Sequence, residues 1–110
     1  MPYPITHLII ASRVADTISI PSKADYLLGS IAPDCVHFNP GFNAHLKDIS
    51  HLRLNIEEDK TEDNDEWTAN VVTFMQQTVS GNNLSFILGY ASHILADIKN
   101  DLDKIGRAHV

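Results

Sequence analysis

Apolar residues recur along most of this chain at intervals of three and four, with no convincing two-residue alternation, so the pattern predicts an all-α fold. In the first helix, over residues 7–16, Leu8, Ala11 and Ala15 lead to Ile18 as one apolar stripe. His7, Ile10 and Val14 line the adjoining one, and Thr6 reads as the N-cap. His7 then sits in the first turn, at the edge of the buried face. Ser22, after Pro21, caps a second helix running to about Ile31, with Tyr26, Leu27 and Leu28 on its apolar side. Pro33 stops it, because the residue before a proline is pushed out of the helical region. Residues 33–50 read as a structured loop around the turn Asn39-Pro40-Gly41, with Phe38 and Phe42 as pocket linings or as loop anchors. A third helix should begin near Asp65, its first-turn acids favoured by the helix dipole. It carries Trp67, Val71, Phe74, Met75 and Val79 toward the core. Gly81-Asn82-Asn83 separates it from the fourth and longest helix, residues 84–102. The expected architecture is a bundle of about four helices.

A chain of 110 residues is the size of one small domain with one core. Its formal charge of −6 is local: seven acids (Glu57, Glu58, Asp59, Glu62, Asp63, Asp65, Glu66) against Lys60 account for all of it. A neutral body with a solvated acidic loop is not an electrostatic footprint for nucleic acid, so no such partner is expected. The run also lacks the alternating acids and glycine of an EF-hand. No apolar stretch approaches the roughly 20 residues of a membrane span. Met1-Pro2-Tyr3-Pro4 has no basic region or small-residue cleavage site, and a lone Cys35 cannot form an internal disulfide, so the expected location is the cytoplasm. Cys35 itself reads as a small, largely buried residue. The end of the chain, Ile105-Gly106-Arg107-Ala108-His109-Val110, is what the sequencing-adapter read ATC GGA AGA GCA CAC GTC encodes. Residues 1–103 are therefore expected to be one domain, cut short at its C-terminus, and residues 104–110 a non-native tail in which His109 is no ligand.

The stretch carrying the most chemistry is Tyr90-Ala91-Ser92-His93-Ile94-Leu95-Ala96-Asp97. His93 and Asp97, four apart, project from one helix face and can close on one ion. Leu84, Phe86, Ile87, Leu88, Ile94, Leu95 and Ile98 make that helix apolar nearly all round, which predicts burial, and a buried carboxylate must be paired or must bind a metal. A plain His–Asp hydrogen bond in a helical core satisfies the same pattern. Asp34 after Pro33 reads either as a carboxylate pointing back into the bundle or as a turn residue. His51 and His7 read singly as ordinary histidines, yet the set of His and Asp residues is a suitable donor set for zinc.

Thr6-His7-Leu8-Ile9-Ile10-Ala11, Leu28-Gly29-Ser30-Ile31-Ala32-Pro33-Asp34, Ser50-His51-Leu52 and Gly89-Tyr90-Ala91-Ser92-His93-Ile94-Leu95-Ala96-Asp97 together resemble the zinc-dependent phospholipase C family, in the family's order. The more distant single-strand-specific zinc nucleases share a similar ligand arrangement. The resemblance implies a helical bundle around a zinc cluster, with Asp34, His51, His93 and Asp97 as ligands of one zinc. His7 would then be a ligand of a second zinc that Asp97 bridges. His37 and His45 are the alternatives to His51. In secreted relatives the chain's own N-terminus also binds metal, whereas here only six residues precede His7. Asp103 stands where a third zinc would take a histidine, so one or two ions are expected. The implied activity is hydrolysis of a phospholipid or related phosphodiester, with Asp34 binding metal and orienting the attacking water. The rival readings are a non-catalytic zinc-stabilised helical domain and a metal-free interaction module.

Overall fold

The computed structural model describes residues 4–54 and 64–108, with side chains placed for 5–54 and 64–100. The acidic stretch 57–63, His109 and the first three residues fall outside that description, as does the side chain of Asp103. Five α-helices and one 310 helix account for nearly all of it, and no strand occurs among the described residues, so the fold is all-α. No helix among them is long and apolar enough to cross a membrane.

Helix α1 spans Pro4–Thr17. It starts two residues before the expected cap, because a proline fits the first turn, where its missing N–H would have no partner anyway. Thr6 is thus a helical residue and not the N-cap. The buried face is His7 and Ala11, one turn apart, while Leu8, Ile9, Ile10 and Ile18 are exposed. The helix is rotated so that a histidine faces inward in place of the larger apolar stripe.

Helix α2, Lys23–Ile31, begins as expected: the Ser22 hydroxyl accepts the Asp25 N–H at 3.3 Å. Ser22's own N–H donates to Ser85 Oγ at 2.9 Å, tying the start of α2 to α5. Tyr26, Gly29 and Ser30 form its buried edge, whereas Leu28, expected on the apolar side, faces solvent. Pro33 ends the α-helix, but the chain does not become a loop. It tightens into a 310 helix, Ala32–Phe38, and after the expected Asn39-Pro40-Gly41 turn it forms α3, Ala44–Ser50. Asn43 caps α3 by accepting the Leu46 N–H at 2.9 Å. The loop expected over 33–50 is therefore two short helices joined by that turn.

Helix α4, Asn64–Thr78, has Asp65 and Glu66 in its first turn and buries Trp67 and Val71, with Phe74 and Met75 half-buried. Val79 lies past its end and is exposed, contrary to the expected core role. Helix α5, Leu84–Ala108, runs past the expected residue 102. It is the central element, packed by α1, α2, α4 and the 310 helix. Its solvent side is narrow but real, since Leu84 and Leu95 are exposed.

Two glycines set the tightest crossing. A Cβ on Gly29 would run into the Phe86 carbonyl, and one on Gly89 would meet the Tyr26 carbonyl and sit 2.9 Å from the Ser30 nitrogen. The α2 and α5 backbones therefore touch, which only residues lacking Cβ permit. Around α5 the interior divides in two. One half is apolar, built from Leu52, Trp67, Val71, Ala91, Ile94 and Ile98. The other half is polar.

Candidate metal centre

That polar half is made of His7, Asp34, His51, His93 and Asp97, each between 1 and 6% exposed. Four separate pieces of chain deliver them. His7 comes from the first turn of α1, Asp34 from the first turn of the 310 helix, and His51 from the C-cap of α3; His93 and Asp97 lie one turn apart on α5. His51 Nε2 lies 2.9 Å from Asp34 Oδ1 and 3.7 Å from Asp97 Oδ2. His93 Nε2 lies 3.5 Å from Asp34 Oδ1, 3.4 Å from Asp97 Oδ2 and 3.3 Å from His51 Nε2. His7 Nε2 lies 3.3 Å from Asp97 Oδ1, and its ring stacks on His93 with centroids 3.5 Å apart. Two triplets, His7–Asp34–His93 and His51–His93–Asp97, each bring their ligand atoms within 4.8 Å of one another.

The outward nitrogens of two rings are committed. His93 Nδ1 donates to the Ser30 carbonyl at 2.6 Å, and His51 Nδ1 donates to the Lys47 carbonyl at 3.0 Å, with Ser50 Oγ also at 2.9 Å. A carbonyl can only accept, so the proton belongs on Nδ1 in both rings. In the neutral rings both Nε2 lone pairs then face each other and the carboxylates. Such a set is stable only with positive charge among it, from protons or from a metal. The unmatched atoms point the same way: His7 Nε2 and both Asp97 oxygens are buried without a hydrogen-bond partner, because the contacts between them lack hydrogen-bond geometry. These donors fit zinc, which takes imidazole nitrogen and carboxylate oxygen.

Protonation follows the same logic. Burial disfavours charge on His93, but the carboxylates of Asp34 and Asp97, at 3.5 and 3.4 Å from its Nε2, outweigh it and push its pKa up to about 9. Burial alone would raise Asp34, yet the His51 and His93 rings hold it well below the usual carboxylate range. Asp97 is likewise held low by His7 and His93 against the effect of burial. A proton on His93 thus occupies the electrostatic position that a metal cation would take.

Sequence reasoning passed over the residues that hold these side chains in place. Ser30 supplies the carbonyl for His93, and the Gly29–Gly89 crossing brings it there. His51 is fixed from the other side: Trp67 Nε1–H donates to its carbonyl at 2.8 Å. The Tyr90 hydroxyl donates to the Ser50 carbonyl, and Asn70 Nδ2 donates to the Leu52 and Leu54 carbonyls at 3.0 and 3.1 Å. Leu52 takes a left-handed φ of 61°, the conformation that ends α3 and usually falls to glycine. Its side chain is held in the apolar core, which offsets the strain. The readable signal was two glycines on otherwise apolar helices, each beside the motif residues.

Of the alternatives to His51, His45 is exposed on α3, and His37 is half outside with Nε2 3.9 Å from Asp34 Oδ1. Cys35 is exposed, against the expectation of burial, with its thiol directed to the Ile31 carbonyl at 3.7 Å. The 310 helix turns it outward on the side opposite Pro33 and Asp34. Phe42 packs against the His37 ring, while Phe38 is 85% exposed and anchors nothing. A family model described as zinc dependent phospholipase C matches residues 6–98, a span that contains all five clustered residues. No curated protein and no solved structure matches the chain.

Proposed function

This chain belongs to the zinc-dependent phospholipase C family, and on that premise we propose that it is a zinc-dependent hydrolase of a phospholipid or related phosphodiester. The observation that carries the reading is the set of buried, partnerless ligand atoms, His7 Nε2 and both Asp97 oxygens, beside the facing Nε2 atoms of His51 and His93. Asp34, His51, His93 and Asp97 would hold one zinc, and His7 a second that shares Asp97. Bound zinc supplies Lewis acidity to phosphoryl oxygens and acidifies water enough to make hydroxide accessible near neutral pH.

The chain's own groups do the rest. Asp34 stays ionised through the ordinary pH range, so it can accept a hydrogen bond from the attacking water and aim its oxygen at phosphorus. The Ser30 and Lys47 carbonyls keep the His93 and His51 rings from turning, so no reorganisation is needed when charge builds on the phosphoryl group. Two exposed apolar features support an amphiphilic substrate. Phe38 projects from the helix that carries Asp34, and Ile5, Leu8 and Ile9 share an outer face of the helix that carries His7.

The closed character of the cluster favours a second reading, a metal that stabilises the fold without catalysis, since structural zinc sites leave no open position. Hydrolysis of a soluble p-nitrophenyl phosphodiester separates the two. The hydrolase reading expects turnover that zinc restores to chelator-stripped protein and that Asp34→Asn abolishes. A folded, zinc-loaded protein without turnover would support the structural role.

A further inference from the structure

The five clustered groups are all buried, so any metal they hold must pass a rim that excludes water. Moving a divalent cation through such a rim is costly unless each lost water is replaced by another donor. Among the described residues, one partly exposed histidine stands in ion-pair contact with a carboxylate of the cluster. It is His37, 39% exposed, with Nε2 3.9 Å from Asp34 Oδ1. The 310 helix explains its place, since three residues per turn put positions 34 and 37 on one edge. Its ring is braced by Phe42 at 4.7 Å between centroids, and Phe42 is itself set by the turn whose Asn39 carbonyl accepts its N–H at 2.9 Å. The separation from Asp34 is too long for a hydrogen bond, yet short enough for one cation to touch both side chains. Cys35, the other metal-binding side chain exposed on this helix, is turned back to the Ile31 carbonyl.

We propose that His37 is a transfer ligand, the group through which zinc passes between solvent and the buried cluster by way of Asp34. Incoming zinc exchanges one water for His37 Nε2, then binds Asp34 while still held, and leaves His37 as His51, His93 and Asp97 close on it. Release runs the same steps backward. A group that serves only the crossing changes uptake and release by the same factor and leaves the equilibrium affinity alone. The inference rests on reading the cluster as a zinc site.

The test is stopped-flow zinc uptake by the metal-free full chain, and zinc release to a fluorescent chelator, in wild type, His37→Ala, His37→Gln and His37→Cys. His37→Ala and His37→Gln should slow both directions by about 10-fold, the loss of one favourable contact at the crossing. Their ratio should be unchanged, and His37→Cys should restore the rates. Wild-type rates in both the Ala and Gln variants would overturn the proposal. So would faster release with weaker affinity, which would make His37 a resident ligand. A wild type that takes up no zinc at equilibrium would instead remove the zinc reading itself, and this inference with it.

Discussion

Gly89→Ala should loosen the candidate metal centre without touching any of its five clustered residues. An added Cβ would overlap the Tyr26 carbonyl oxygen and sit 3.0 Å from that carbonyl carbon and 2.9 Å from the Ser30 nitrogen. Both neighbours are backbone, so no side chain can swing aside; restoring ordinary contact requires α2 and α5 to part by about 1 Å. The His93 Nδ1 to Ser30 carbonyl bond, 2.6 Å now, would stretch to roughly 3.6 Å, outside hydrogen-bonding range. Overpacking costs about 1–3 kcal/mol, and the orphaned buried pair adds about 1–3 kcal/mol. The better helix propensity of alanine returns up to about 1 kcal/mol. The expected net loss is about 1–6 kcal/mol, read from urea unfolding followed by far-ultraviolet circular dichroism. Zinc affinity should drop about 10- to 100-fold, because His93 loses the bond that fixes its tautomer. Gly81→Ala, with nothing near its added Cβ, is the control and should be near neutral. Wild-type stability and zinc affinity in Gly89→Ala would refute the idea that backbone contact at this crossing sets the His93 ring.

Three further outcomes follow from the same contacts. Without metal, His93 contributes stability that is complete below its ordinary pKa of 6.5 and is lost as pH rises through about 9. Asp34 and Asp97 contribute above the ordinary carboxylate value of 3.8 and lose it only in acid. Metal-free protein should therefore melt earlier as pH climbs from 6.5 to 9, while apparent zinc affinity rises by up to about 10-fold per pH unit as the proton is displaced; flat profiles of melting and affinity over that window would contradict the assignment. Trp67→Phe keeps the ring packing but leaves the His51 carbonyl unpaired, so unfolding free energy should fall by about 1–3 kcal/mol, with weaker zinc binding in a chelator competition. Zinc at about 1,000-fold over its dissociation constant should stabilise the fold by about 4 kcal/mol, a melting shift of roughly 15 °C or more that chelator reverses.

The helical class and the His93–Asp97 pair were legible because both rest on local spacing, whereas His7, Asp34 and His51 joined the set only through the family resemblance. His93 and Asp97 share a face by helix geometry alone, and Ser22 and Pro33 punctuate α2 where their backbone chemistry requires. What escaped was tertiary or disguised. Asn43 caps a helix none of whose seven residues is fully buried, so no apolar stripe announced α3 between turn residues. The rotation of α1 follows from the cluster's need for His7, which no hydrophobic pattern expresses, and it leaves Leu8 and Ile9 outside. Gly29 and Gly89 sit 60 positions apart, and the backbone contacts they allow, Gly29 on Phe86 and Gly89 on Tyr26 and Ser30, exist only once α2 and α5 are packed. The carbonyl anchors of His51 depend on Trp67, Asn70 and Tyr90, drawn from two helices that follow it in sequence.

Elemental analysis of metal content tests the central claim most directly, on wild type and on the double variant His93→Ala, Asp97→Ala, each purified without chelator. One or two zinc ions per chain in the wild type, lost in a double variant that keeps its helical circular dichroism, is the predicted result. A folded wild type that retains no metal, even after incubation with zinc, would contradict it and leave a buried histidine–carboxylate cluster neutralised by protons alone.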